Sequence, residues 1–307
     1  MAKKKTAPRI FHELLNRNFG YYYTINETLY KGATPFQNIE LVDTPEFGKV
    51  LLLDNITQVA EKNDYQYHEP MVHPALCSHP CPRDVLVIGG GDGGILREVL
   101  KYPTVRLVHF AELDSDVVNF SKKYLSNMNK NSFDQPRVRI NFTDGRAFVE
   151  KRSEEFDAVI MDMTDPFGPS KMLYTKEFFR AVRRSLKNPG GVFVMHSESP
   201  ISRPAAFRCI NTTLRKVFTH VNILYIYIQM YAVLWSVTVC SDQTDIAGVK
   251  VSTIDKRLTR YGIDDLKVYT GATHHAMLTP YPYISDMLKK RAPVITDNNP
   301  DFPDSHI

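Results

Sequence analysis

Asp84-Val-Leu-Val-Ile-Gly-Gly-Gly-Asp-Gly-Gly-Ile-Leu-Arg-Glu-Val-Leu100 decides the fold class. Residues 85–88 are an unbroken apolar run rich in valine and isoleucine, as expected of a strand covered on both faces. From Ile95 the apolar residues recur at helical spacing. Between the two, glycines surround Asp92. Glycine permits a tight turn and lets a ligand approach the backbone, while the start of the helix presents free N–H groups. Strand, glycine turn and helix in that order predict a parallel sheet with a ligand cradle beyond its carboxyl edge.

Outward from this stretch, apolar runs at 105–111, 138–142, 158–161, 191–196 and 221–228 alternate with amphipathic helical stretches, which extends the α/β pattern. Upstream the pattern differs. Phe36-Gln-Asn-Ile-Glu-Leu-Val42, Thr44-Pro-Glu-Phe-Gly48 and Val50-Leu-Leu-Leu-Asp-Asn55 alternate short apolar runs with turn signals and predict a small antiparallel sheet. A helix is expected over 65–76, and Pro80 and Pro82 mark a boundary after it. The expected organisation is a flexible segment over 1–20, a β domain with a linking helix over 21–80, and a Rossmann-like catalytic domain over 81–307. The carboxyl-terminal extension ends in the polar, proline-rich NNPDFPDSHI and is expected to lie loosely on the surface.

Composition excludes several function classes. The chain has 307 residues, 43% hydrophobic and 23% charged, near the globular average. Its formal charge is +4, and the run Lys3-Lys4-Lys5 accounts for much of it, so nucleic-acid binding is not indicated. No apolar stretch is long enough for a membrane span, and a cytoplasmic location is expected. Four scattered cysteines suit a reducing compartment. Cys77, His79 and Cys81 lack a second ligand pair at finger spacing, so no metal is expected and an interdomain loop is the preferred reading.

Three successive strand ends carry acids. Gly89, Gly91 and Gly94 satisfy G-x-G-x-x-G, which alone would equally suit a dinucleotide. Asp92 inside the loop would repel a pyrophosphate but suits a sulfonium ligand with an amine. Glu112 ends the second strand, where an acid accepts ribose hydroxyl protons. Asp144-Gly145 ends the third, placed to meet an adenine amino group, although such a pair is also a common turn. Together they describe an adenosyl-sulfonium site in a methyltransferase-type, Rossmann-like fold.

The fourth strand runs into Asp162-Met-Thr-Asp165-Pro. Two carboxylates three residues apart suit a polyamine acceptor. One amine must be neutral to attack, and with a pKa near 10.4 its deprotonation near pH 7.4 costs about 4 kcal/mol. An adjacent carboxylate takes that proton as attack proceeds. An Asp-Pro loop with a helix cap is the plain structural alternative.

At these residues the chain resembles the spermidine synthase family of polyamine aminopropyltransferases over nearly its whole length. The carrying motifs are Leu53-Asp-Asn-Ile-Thr-Gln58, Tyr67-His-Glu69, the glycine-rich turn and its helix, Glu112-Leu-Asp114, Asp144-Gly145, Asp162-Met-Thr-Asp-Pro166, Tyr174-Thr-Lys-Glu-Phe178 and Ser197-Glu-Ser-Pro200. The resemblance implies decarboxylated S-adenosylmethionine as co-substrate, no prosthetic group, and a homodimer or homotetramer. It places Gln37, Gln58, Tyr67, His68, Asp92, Glu112, Asp144 and Gly145 around the donor. Asp162 falls at the catalytic acid/base and Asp165 at an acceptor contact. Tyr67, Asp165, Glu198 and Tyr231 are the candidate acceptor-binding residues, and residues 165–174 correspond to a lid.

Departures from the family pattern concern the acceptor. The usual Thr-Tyr-Pro-Ser-Gly segment is Gln229-Met-Tyr-Ala-Val233, the usual Asp-Ser-Ser-Asp is Asp162-Met-Thr-Asp165, and a common glutamine is His196. Putrescine, agmatine and longer amines all stay open, as does a carboxylated donor used for aminocarboxypropyl or methyl transfer. A non-catalytic polyamine or nucleotide sensor is the third reading. Tyr21-Tyr22-Tyr23 is expected to be an interface strand, His274 and His275 structural, and Met161 and Met163 core and pocket wall.

Overall fold

The computed structural model describes residues 9–166 and 168–303. Strands β1 (Arg9–Asn16) and β2 (Phe19–Ile25) form an antiparallel hairpin. Strands β3 (Glu27–Ala33), β4 (Asn38–Thr44), β5 (Gly48–Leu53) and β6 (Ile56–Ala60) follow as an antiparallel meander in sequence order. The expected flexible segment over 1–20 is therefore corrected from Arg9 onward. Phe11, Glu13 and Leu15 turn one face of β1 inward, and Phe11 packs on Tyr23. Lys3-Lys4-Lys5 lies outside the described residues.

Helix α1 (Tyr65–Ser78) links the two halves and is buried almost throughout. Then come β7 (Asp84–Gly89), α2 (Gly94–Leu100), β8 (Leu107–Glu112), α3 (Ser115–Tyr124), α4 (Ser126–Asn129), β9 (Val138–Phe142), α5 (Gly145–Glu150) and β10 (Ala158–Asp162). The chain continues through α6 (Lys176–Ser185), β11 (Val192–His196), α7 (Pro204–Leu214), β12 (His220–Ile228), β13 (Val233–Ser241), α8 (Val251–Tyr261), α9 (Gly271–Met277) and α10 (Pro282–Lys289).

The central sheet runs β12-β13-β11-β10-β7-β8-β9. Strands β7 to β11 are parallel, and β13 returns antiparallel between β11 and β12. This strand order, with its one reversed strand, is a methyltransferase-type Rossmann-like fold. Alternate residues of β7 feed opposite layers: Val85 and Val87 join the cluster containing Met71 and Ile95, while Leu86 and Ile88 join Phe178 and Phe179. Both faces are covered, which is why β7 reads as a continuous apolar run.

Strand order reverses between β7 and β10, where successive connections leave in opposite directions. A crevice opens at such a point beyond the carboxyl ends. Asp162 ends β10 directly opposite Gly89 at the end of β7.

Three further features differ from the expected organisation. Strand β13 was not anticipated because it needs no helical crossover: the short turn Gln229–Tyr231, with Ala232 at φ +53°, folds it straight back on β12. The carboxyl-terminal extension is not loose. Ile254, Ile284, Ile295 and Phe302 are buried, and Glu69 of α1 accepts the backbone N–H groups of Lys267, Val268 and Tyr269 at 2.8, 2.8 and 3.0 Å. Cys77 belongs to α1 rather than a loop and lies 3.1 Å from the Tyr102 hydroxyl.

Candidate active site

The glycine turn is shaped by its neighbours. Gly89 has φ +75°, and a Cβ there would stand 2.2 Å from the Asp162 carbonyl oxygen. A Cβ on Gly94 would meet the His68 ring at 2.1 Å. Glycine at these two positions lets β10 and α1 close directly on the turn.

His68, from α1, joins the halves of the site. Its Nδ1 lies 3.1 Å from Asp64 Oδ2, and its Nε2 lies 3.4 Å from Asp92 Oδ1. Burial opposes its positive charge, but Asp92 and Asp64 outweigh burial and raise the pKa to about 10. Asp92 is pushed up by burial, yet the His68 charge and hydrogen bonding to His68 and to the Gly94 N–H bring it below the ordinary value. Arg97 holds Asp64 from behind at 2.6 Å.

Asp162 sits across the turn. The Tyr67 hydroxyl donates to its Oδ1 at 2.7 Å, while its Oδ2 faces Gly90, 3.0 Å from where a Cβ would stand. Burial and then the Asp92 charge raise its pKa to about 6, against lowering by His68 and Tyr67. Ligand atoms of His68, Asp92 and Asp162 fall within 4.8 Å of one another, a spacing able to hold a metal ion or the cationic group of an organic ligand.

Beside them, Glu112 ends β8, and its Oε2 lies 3.4 Å from a Cβ built on Gly91. Burial is the chief cause of its high pKa, about 7, with Asp114 and Asp162 adding to it against the Asp114 and Leu113 backbone N–H groups. Gln37 does not reach Glu112 directly. Its amide donates to Asp114 at 3.0 Å, and Thr34 donates to the same oxygen at 2.7 Å, so the loop after β3 is latched to the start of α3. Asp144 is exposed and accepts from Ala147 N at 2.7 Å as the cap of α5, with Gly145 the first residue of that helix.

Around Tyr231 and Glu198, two of the residues expected to meet the acceptor, aromatic residues gather. Tyr231 donates to the Gln58 carbonyl at 2.7 Å and packs against Trp235. The Gln58 side chain turns to the Ile56 carbonyl, 3.2 Å away. Trp235 stacks on His196, whose Nε2 lies 2.8 Å from the Met163 carbonyl and 3.0 Å from the Tyr174 hydroxyl. Burial lowers the pKa of His196, so the ring is neutral at pH 7 and donates from Nε2 to that carbonyl. Glu198 is fully buried, with Oε2 3.9 Å from Arg203, and the same guanidinium lies 3.5 Å from Asp165. Gly168–Leu173, inside the expected lid, is a turn of 3-10 helix. It is held by Ser170 Oγ donating to the Asp165 carbonyl at 2.5 Å and by Tyr174 donating to Thr164 O at 3.0 Å.

Tyr67, His68, Gly89, Gly91, Asp92, Glu112 and Asp162 therefore converge on one crevice. Gln37 and Gln58 border it through other groups, and Asp144 stands at its outer edge. Sequence reasoning missed Asp64, Arg97 and Asp114. Arg97, in the helix after the glycine-rich turn, and Asp114, in Glu112-Leu-Asp114, lay inside the carrying motifs, whereas Asp64 carried no signal. His274 and His275 hydrogen-bond to the Ile246 and Val249 carbonyls at 2.9 and 2.8 Å, as structural residues.

Residues 64–250 match the family described as the spermine/spermidine synthase domain, and residues 10–61 match the spermidine synthase tetramerisation domain. The chain is 41% identical over 287 residues to the polyamine aminopropyltransferase of Nitrosomonas europaea, covering 94% of this chain and 88% of that one. It is 33% identical over 280 residues to that of Bacillus subtilis, covering 91% and 98%. Among solved structures, a spermidine synthase in complex with the transition state analogue AdoDATO superposes with TM-score 0.86 at 32% identity, covering 93% of this chain and 98% of the other. The spermidine synthase of Thermotoga maritima gives 0.85 at 32% identity, covering 93% and 97%.

Proposed function

The chain belongs to the spermine/spermidine synthase family and is an aminopropyltransferase, and from that premise we propose that it moves the aminopropyl group of decarboxylated S-adenosylmethionine onto an amine of a di- or polyamine. The observation that carries this reading is Asp162: a shielded carboxylate with one oxygen fixed by Tyr67 and the other turned to the glycine-lined cleft. A neutral amine nitrogen attacks the methylene carbon next to sulfur. The carbon–sulfur bond breaks, its electron pair stays on sulfur, and methylthioadenosine leaves uncharged. The proton lost by the new secondary ammonium passes to Asp162. With a pKa near 6, Asp162 is ionised at neutral pH yet more basic than an ordinary aspartate, which suits a general base.

Glu112 is assigned the ribose hydroxyls, and Asp144 with Gly145 the adenine edge. Asp92 and His68 flank the sulfonium end of the donor. Asp165, Glu198, Tyr67 and Tyr231 are assigned to the acceptor pocket. The match of residues 10–61 to a tetramerisation domain, with Ile10, Leu14, Phe19 and Tyr22 exposed on β1 and β2, supports a homo-oligomer assembled through this hairpin. Among the described residues no helix is long and apolar enough to cross a membrane, and we assign the enzyme to the cytoplasm.

The test supplies decarboxylated or intact S-adenosylmethionine with putrescine, cadaverine, agmatine, spermidine or norspermidine and identifies products by mass. Methylthioadenosine together with an aminopropylated amine is expected. S-adenosylhomocysteine as the nucleoside product would refute the reading.

A further inference from the structure

Strand β1 reaches the residues assigned above to the acceptor. Glu13 lies on its inward face with Phe11 and Leu15. One carboxylate oxygen of Glu13 accepts the Thr57 N–H at 2.9 Å and also the Thr57 hydroxyl. The next residue, Gln58, holds Tyr231 through its carbonyl. Asn16, at the end of the same strand, donates to the Ser202 carbonyl at 3.3 Å, so β1 spans from β6 to the segment after Glu198. Glu13 is close enough to Asp165 and Tyr231 for its charge to act on both.

The carboxylates around this pocket are not equivalent. Asp165 and Glu198 both face the buried guanidinium of Arg203. Among the described residues Glu13 forms no ion pair with any lysine, arginine or histidine, and its hydrogen-bonding partners at Thr57 are neutral. Burial raises its pKa, hydrogen bonding from Thr57 and from the neutral Tyr21 hydroxyl lowers it in part, and the Asp165 charge raises it further. A shielded carboxylate without a cation is costly unless a ligand supplies one.

We propose that Glu13 binds the distal ammonium or guanidinium of the acceptor, and so selects amines that carry a second positive charge. This rests on the aminopropyl-transfer reading and names the residue that fixes acceptor class. Thr57 is the positioning residue, since both of its donors hold the same Glu13 oxygen, and Tyr21, opposite Glu13 on β2, is the neutral neighbour on the other side.

The experiment compares putrescine and spermidine with n-butylamine, a monoamine with the same four-carbon chain as putrescine, in the wild type, Glu13→Gln and Glu13→Asp. A charged hydrogen bond lost in a shielded pocket changes affinity by about tenfold or more. In Glu13→Gln the kcat/KM ratio of diamine to monoamine should fall by at least that factor, mainly through the KM of the diamine. Glu13→Asp should recover part of the ratio, because it restores the charge on a shorter arm. Thermal melts check that each variant folds. A ratio unchanged in Glu13→Gln, or equal losses for diamine and monoamine, overturns the assignment. Calorimetric binding of both amines in the presence of methylthioadenosine supplies a readout independent of turnover: absence of transfer to any amine would overturn the function, whereas unchanged diamine binding in Glu13→Gln would overturn only the role of Glu13.

Discussion

Replacing Glu112 with glutamine should stabilise the ligand-free protein while weakening its hold on the nucleoside. Burial raises the pKa of this carboxylate from an ordinary 4.5 to about 7, with Asp114 and Asp162 adding to the effect. Folding therefore favours the neutral acid: the penalty is absent below about pH 4.5, grows with pH, and is complete above about 7. A gap of about 2.5 at 1.36 kcal/mol per pKa step gives a penalty of about 3 kcal/mol at pH 8. The carbonyl oxygen of glutamine still accepts the Asp114 N–H, now 2.9 Å from Glu112 Oε1, so Glu112→Gln should recover about 1 to 3 kcal/mol. In a chain of this size that is a rise in Tm of a few degrees. The gain should mostly vanish at pH 5, where the wild-type side chain is largely protonated. Calorimetry with methylthioadenosine should show the opposite sign, a loss of about 1.5 to 3 kcal/mol as the charged acceptor for the ribose disappears. Melting curves at pH 8 and pH 5, at one protein concentration, provide the check. A variant no more stable than wild type at pH 8, or equally stabilised at both pH values, would refute the electrostatic account of Glu112.

Asp162→Asn should lower kcat by about 100- to 10,000-fold while methylthioadenosine binding stays near wild type, measured by steady-state kinetics and calorimetry. On the proposed role of Asp162 as the ionised base, with a pKa near 6 in the ligand-free protein, kcat/KM should fall as pH drops through about 6, and a pH–rate profile checks this limb. Gly94→Ala would drive a Cβ into the His68 ring, 2.1 Å away; a loss of about 1 to 3 kcal/mol in denaturant titrations and a raised donor KM are expected. Asp165→Asn should raise acceptor KM more than it alters donor binding. At least one of agmatine, spermidine or a longer amine should exceed putrescine in kcat/KM, given the altered segment from Gln229 to Val233; competition kinetics at saturating donor decide both points.

The parts legible in the sequence are those set by local pattern. The apolar run of β7, the glycine turn and the acids ending β8, β9 and β10 stand in chain order, and strand alternation alone brings their ends to one edge of the sheet. What was not legible depends on contacts between distant residues. Asp64 reads as an ordinary helix-start residue until α1 lays it against Arg97, 33 positions away. Glu13 reads as a terminal surface residue until β1 meets Thr57, 44 positions on. The carboxyl-terminal extension reads as a loose surface segment because its ties run to residues far away in the chain. The Arg146 guanidinium makes two bonds to Asp297, at 2.9 and 2.5 Å, and Glu69 accepts three N–H groups of the segment before α9.

Charge around the crevice also bears on the donor. His68, the cation beside Asp92 in the crevice, is already balanced by Asp64 and Asp92. Asp162 and Glu112 remain acids whose raised pKa values reflect shielding and mutual repulsion. A decarboxylated donor brings a sulfonium and an ammonium into this field, both attracted. The intact donor adds a carboxylate at the same end, close to Asp92 and Asp162. Two like charges about 4 Å apart repel by about 1 kcal/mol in water and about 4 kcal/mol at the effective dielectric of a protein surface. Discrimination of about tenfold to a thousandfold in kcat/KM against the intact donor follows. Replacing Asp92 by asparagine should narrow it, since one of the repelling charges is removed. Equal use of the two donors by the wild type, or a gap that Asp92→Asn leaves unchanged, would mean that this field does not select the donor.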